Sequence, residues 1–188
     1  MRALGLSPDD ASNLAPTPDL IQAKFDRMRE QQDAFVASIN DQLPDMVSVI
    51  PWAMVPATVW SMQYGDFLSV TCDMYPSAPW NMMLLPEDQR SALVLELPEH
   101  LHVAPSGFDV ACNAVIGRVV DEFQRSTADA RHDLLQGKIG KLGEFEAARQ
   151  QTLVTLCHLA YSFGQEIYGE DAFDRHKSMF GDVLGWRI

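Results

Sequence analysis

The sequence predicts an α+β fold: a small antiparallel sheet, at about residues 56–97, packed against an N-terminal helix and a C-terminal helical set with a buried central helix at 144–168. Three observations lead there. A wide helical stripe fills residues 144–168, prolines cut the stretch from Pro44 to Pro86 into short pieces, and the elements run helix, strand block, helices. Segregation of this kind indicates α+β, whereas regular alternation would indicate a parallel sheet.

Residues 1–16 (MRALGLSPDDASNLAP) are short of large apolar groups and are expected to form a loose arm. Thr17-Pro18-Asp19 is a helix start, with Thr as N-cap, proline at the first helical position and an acid in the first turn. Ile21, Phe25, Met28, Phe35 and Ile39 recur at helical spacing opposite Asp26, Arg27, Glu30 and Asp33. That pattern is a one-faced helix on the surface, stopped at Leu43-Pro44.

Proline at the density found between Pro44 and Pro86 excludes long helices. Within the segment, ATVWSMQY and FLSVTCDM read as two strands about a Gly65-Asp66 turn, with glycine where a type II′ hairpin requires it. A third strand is expected at Asn81–Leu85. Residues 87–97 are ambiguous: Glu87-Asp88 after Pro86 suggests a helix start, but ALVLEL alternates, and a turn followed by a strand is expected.

Ser106-Gly107-Phe108-Asp109 fits a helix cap, opening a helix that carries Phe108, Cys112, Val115, Val119 and Phe123 on one side. A shorter helix is expected at Thr127–Gln136, then a glycine-rich connector, Gly137–Gly143. In the helix at 144–168, Phe145, Thr152, Leu159, Ala160, Phe163 and Ile167 fall within about 60° of Leu156 at 100° per residue. Leu153, Val154, Cys157, Tyr161 and Tyr168 widen the apolar arc to roughly 220°, so more than one neighbour must cover it. Gly169 closes it, and Asp171 is expected to cap a last helix carrying Phe173, Met179 and Phe180 and ending at Gly181.

A chain of 188 residues is expected to make one domain. MRALGLSPDD lacks an apolar leader core, and the most apolar run, VIPWAMVPATVW, is too short for a membrane span. Three cysteines leave at least one unpaired, which favours a reducing, cytoplasmic setting. A net charge of −12 argues against direct nucleic-acid binding, whose affinity comes from Lys and Arg on phosphate, and against anionic membranes.

Several motifs carry chemistry on paper. GKIGKLG could cradle an anion before a helix but lacks the phosphate-loop spacing, so an ordinary linker is the reading. His100 and His102 could share a face of a strand, but a metal wants three or four converging groups and the other ligand types are scattered. Cys157-His158 are neighbours on a helix and point about 100° apart. No catalytic, cofactor or metal residue is therefore assigned. The remaining unusual feature is the methionine- and tryptophan-rich segment, which reads either as core or as an adaptable binding surface. Its partner-binding candidates are Trp52, Met54, Trp80 and Met82.

The functional expectation is a non-enzymatic acidic module that binds a protein, as an inhibitor or adaptor on a basic or nucleic-acid-handling partner. Two alternatives stand beside it: a small metal- or thiol-dependent enzyme using His100, His102 or a cysteine, and a structural subunit that self-associates.

Overall fold

In the computed structural model, which describes residues 18–100 and 105–186, the innermost element is a strand. Strand β2, Met82–Pro86, is an unbroken apolar run with all five residues buried, as a strand covered on both faces must be. It pairs antiparallel with β1, Val49–Ala53, in a register that sets Val49 opposite Pro86 and Ala53 opposite Met82. The sheet is thus two-stranded and built from residues 49–53 and 82–86. The expected third strand is β2, but its partner is VIPWA.

Several outward-facing backbone groups of this sheet are bonded to other parts of the chain. Met54 N–H donates to Asn81 O at 2.9 Å and Glu87 N–H to Ser48 O at 3.1 Å, so alternation turns the polar groups of Val49, Leu84 and Pro86 away from the ladder. The Asn40 side-chain amide donates to Val49 O at 3.0 Å and accepts from Val49 N–H at 2.8 Å. Leu84 N–H donates to His176 Nε2 at 2.8 Å, Met82 N–H to Pro79 O, and Pro86 O accepts from His100 N–H at 2.9 Å. Pro51 is accommodated within β1, because on an edge strand its missing donor faces outward and no ladder bond is lost.

Among the described residues six α-helices surround the sheet: α1 Pro18–Asn40, α2 Gln89–Leu95, α3 Phe108–Ser126, α4 Ala128–Leu135, α5 Leu142–Tyr168 and α6 Glu170–Leu184. Helix α1 packs on β1, α2 and α6 on β2, and α5 lies among α3, α4 and α6. Thr152, Leu156, Ala160, Tyr161, Phe163 and Gly164 form the buried stripe of α5. Leu153, Cys157, Leu159, Ile167 and Tyr168 flank it half-buried, and Val154 is exposed. Gly164 allows the sheet to approach: a Cβ there would stand 3.0 Å from Met54 Sδ and 3.1 Å from Met83 Sδ. The loose arm expected at residues 1–16, and Thr17 as cap, lie outside the described residues.

The expected hairpin at 57–74 does not form. Ala57–Ser61 is a 3₁₀ turn and Phe67–Thr71 a wide helical turn, with Val59, Trp60, Leu68 and Cys72 turned inward. Its amides bond locally, Leu68 N–H to Tyr64 O at 3.1 Å and Met74 N–H to Leu68 O at 2.8 Å. Gly65 passes so close to Trp60 that a Cβ would fall 1.9 Å from its carbonyl oxygen. High β-propensity loses here because it rewards packing against a strand neighbour, and β1 and β2 already have theirs.

Residues 87–97 are helical, not a turn and strand. Asp88 caps α2 by accepting Ser91 N–H at 2.7 Å, and Leu93 and Val94, which made the alternation, are exposed. Smaller corrections concern helix ends. Gly107 rather than Ser106 precedes α3, Gly169 rather than Asp171 precedes α6, and α6 runs past a buried Gly181 to Leu184. Among the described residues no helix is long and apolar enough to cross a membrane.

Candidate functional site

Three of the four expected partner-binding side chains belong to the core. Trp52 is 6% exposed, edge-on to Tyr168 with ring centroids 5.0 Å apart and stacked against Phe108 at 6.4 Å. Met54 is fully buried against Gly164. Met82 is buried too, and its sulfur accepts from Gln32 Nε2 at 3.3 Å. Only Trp80 is half-buried, tilted against Trp60 at 6.4 Å over Leu156, Leu159 and Phe163. The prolines do not push these side chains outward, since β1 and β2 carry the segment through the middle of the molecule.

The other candidates separate. His102 lies outside the described residues, and His100 is half-buried with its N–H bonded to Pro86 O. Among the described residues no three of His, Cys, Asp and Glu converge as a metal set would. Burial pushes the Cys72 and Cys112 thiols up to about 12 and raises Cys157 as well, the reverse of what a nucleophilic thiolate needs. Cys157 faces the core while His158 is exposed. In the connector between α4 and α5, Lys138 and Lys141 both turn to Asp133, at 3.4 and 3.9 Å.

What the fold does build is a groove of about 530 Å³ between α1, the 66–71 turn and the α3, α4 and α5 helices. Ile21, Phe67, Val70, Phe123 and Phe145 supply its apolar wall. Three of these rings form a file: Phe67 meets Phe123 edge-on at 5.2 Å, and Phe123 meets Phe145 at 5.6 Å. Val70 is 46% exposed. Asp66 and Arg131 bring opposite charges to the lining, and neither forms an ion pair among the described residues.

One turn further along α1 a polar cluster fixes the helix beside the groove. Lys24 Nζ bonds Asp73 and stands 4.5 Å over the ring of Tyr75, whose hydroxyl donates to Asp73 Oδ1 at 2.8 Å. Burial alone would raise the Asp73 carboxyl, yet the hydrogen bonds from Lys24 and Tyr75 leave it below its ordinary value. The Asp73 hydrogen bond in turn raises Lys24.

None of the groove residues stood out beforehand. Phe67, Val70 and Thr71 have the i, i+3, i+4 spacing of one helical turn, a signal hidden under the strand reading of the same residues. Phe123, Arg131 and Phe145 come from three helices, and only the tertiary fold brings them together. No protein-family model, no curated protein and no solved structure matches this chain.

Proposed function

We propose that this chain is a non-enzymatic, acidic protein-binding module, an inhibitor or adaptor that receives a basic amphipathic segment of a protein partner in the groove. The observation that carries the reading is the half-buried pair Phe67 and Phe145, bridged by the buried ring of Phe123, beside the exposed Val70 on an acidic body. Aromatic anchors in a cleft are where binding energy concentrates. The net charge of −12 favours a basic partner and speeds its approach. Thiols held protonated by burial fit a binding role in a reducing, cytoplasmic setting better than a thiol-dependent reaction.

Fluorescence polarisation with a labelled synthetic Lys/Leu amphipathic peptide tests this. Saturable one-to-one binding, weakened by salt, is expected. Val70→Gln, which leaves net charge unchanged, should weaken it about tenfold, equivalent to ~1.4 kcal/mol. Equal binding by wild type and Val70→Gln would mean that bulk charge alone attracts the peptide, and the groove reading would be lost.

A further inference from the structure

We infer that the occupant of the groove is a second copy of this chain: the connector between α4 and α5 seats Ile139 and Leu142 in the other copy's groove, and the reverse contact forms at the same time. The inference rests on the binding role proposed above and names the partner of that same groove.

The connector has the chemistry that the groove is suited to receive. Leu135, Ile139 and Leu142 are 74%, 75% and 52% exposed, three large apolar side chains within eight residues. An ordinary loop is built of polar and turn-forming residues and needs none of them. The same stretch holds Lys138 and Lys141 and no acid, on a chain of net charge −12. Both lysines turn to Asp133 at 3.4 and 3.9 Å, long and partly exposed contacts that cost little to exchange for another carboxylate. The connector is thus itself a basic amphipathic segment. Its backbone is already folded: Gly137 N–H donates to Leu134 O at 2.9 Å, Lys138 N–H to Asp133 O at 2.9 Å and Leu142 N–H to Ile139 O at 3.1 Å. Docking it therefore orders few new groups.

Position makes the contact reciprocal. Arg131 on α4, shortly before the connector, and Phe145 on α5, shortly after it, both line the groove. At the helical rise each stands within roughly 6 Å, along its helix, of the connector's end. Ile139 and Leu142 are exposed, so they do not fill the groove of their own molecule. A projection beside a groove on one face is self-complementary about a two-fold axis, and the pair closes instead of growing into a filament.

Charge fixes the direction. Asp66 and Arg131 line the groove, and neither has an ion-pair partner among the described residues. The connector brings its two lysines, and the exposed Glu144 follows on α5, also without an ion-pair partner among the described residues. Lysine to Asp66 and Glu144 to Arg131 are the pairings of opposite sign, and the two-fold repeats each. They set register more than affinity.

Sedimentation velocity of the full chain over a range of concentrations tests this. A monomer–dimer equilibrium in the micromolar range is expected, as for a small transient interface. Ile139→Gln and Val70→Gln, both at exposed positions and both without change of charge, should each weaken it about tenfold. Mixing the two variants separates a reciprocal fit from general stickiness. A mixed pair keeps one native contact, the connector of the Val70 variant in the groove of the Ile139 variant. In its other contact both losses fall on the same pair of residues and do not add, so the mixture should associate more strongly than either variant alone. A chain that stays monomeric up to about 1 mM, or a mixture no stronger than its components, overturns the inference. The two readings fail separately. Self-association with recovery on mixing, but no binding of the Lys/Leu peptide, removes the external basic partner alone. Peptide binding by a strictly monomeric chain removes the second copy alone.

Discussion

His176 Nε2 accepts the backbone N–H of Leu84 at 2.8 Å, so an imidazole on α6 stands where a neighbouring strand would pair with β2. Accepting at Nε2 places the proton of the neutral ring on Nδ1, which has no hydrogen-bond partner among the described residues. The ring is fully buried between Phe180 and Trp186, with centroids 5.2 and 5.1 Å away.

Acid should therefore unfold this protein partly through one residue. Burial pushes His176 down to about 3 from the ordinary 6.5. Its contribution is complete above pH 6.5 and is lost as pH falls towards 3, because the unfolded chain takes up a proton that the folded one refuses. The slope is ~1.4 kcal/mol per pH unit for this one proton. Urea midpoints measured between pH 7.5 and 4 should fall less steeply in His176→Gln, whose neutral side chain keeps an acceptor. Parallel slopes in the two proteins would contradict the assignment.

Asn81 is fully buried and ties the loop after β1 to the turn before β2. Its Nδ2 donates to Val55 O at 2.9 Å and Pro76 O at 3.0 Å, and its Oδ1 accepts Val55 N–H at 2.7 Å. Asn81→Ala leaves three backbone groups without partners in the interior. A loss of about 3 kcal/mol or more is expected, read from the denaturant midpoint at unchanged slope. Asn81→Asp should cost more, since it removes both donors and buries a charge.

Gly164 and Met54 should be energetically coupled. A methyl at residue 164 meets Met54 Sδ at 3.0 Å, Met83 Sδ at 3.1 Å and Phe173 at 3.1 Å. Gly164→Ala should cost roughly 1–3 kcal/mol through overpacking. Combined with Met54→Val, which frees that space, the two losses should sum to clearly more than the double variant shows. Strict additivity in the cycle would place the strain elsewhere.

The thiols offer a check on burial. Cys72 and Cys112, both buried and raised to about 12, should not react with an aromatic disulfide reagent at pH 8 while the chain is folded. All three cysteines should react at once in guanidinium. Fast labelling of Cys112 in the native protein would show that α3 opens readily from α5.

Helices were legible wherever a periodic apolar face outweighed everything else. Phe108, Cys112 and Phe123 on α3, and Leu156, Ala160 and Phe163 on α5, announce their burial by spacing alone. β2 was legible as an uninterrupted apolar run. The strand opposite it was not, because Pro51 is disqualifying only for a strand paired on both sides, and edge status is a tertiary fact. Val59, Trp60, Val70 and Thr71 have strand-type side chains in helical turns, a conflict decided by which partners were left to pack against. The groove was hidden for the same reason. Its rings stand far apart in the chain, and each one alone reads as ordinary core.

The sealed sheet has a consequence for how this molecule meets others. On β2 the outward donors of Met82 and Leu84 are spoken for and Pro86 has none; on β1 an asparagine covers Val49 and Pro51 has no hydrogen to give. A ribbon from a second molecule would meet Asn40 at Val49, a residue without a donor at Pro51 and His176 at Leu84, which disfavours edge pairing at those positions. Among the described residues, main-chain pairing with another molecule is thus disfavoured at those positions of β1 and β2.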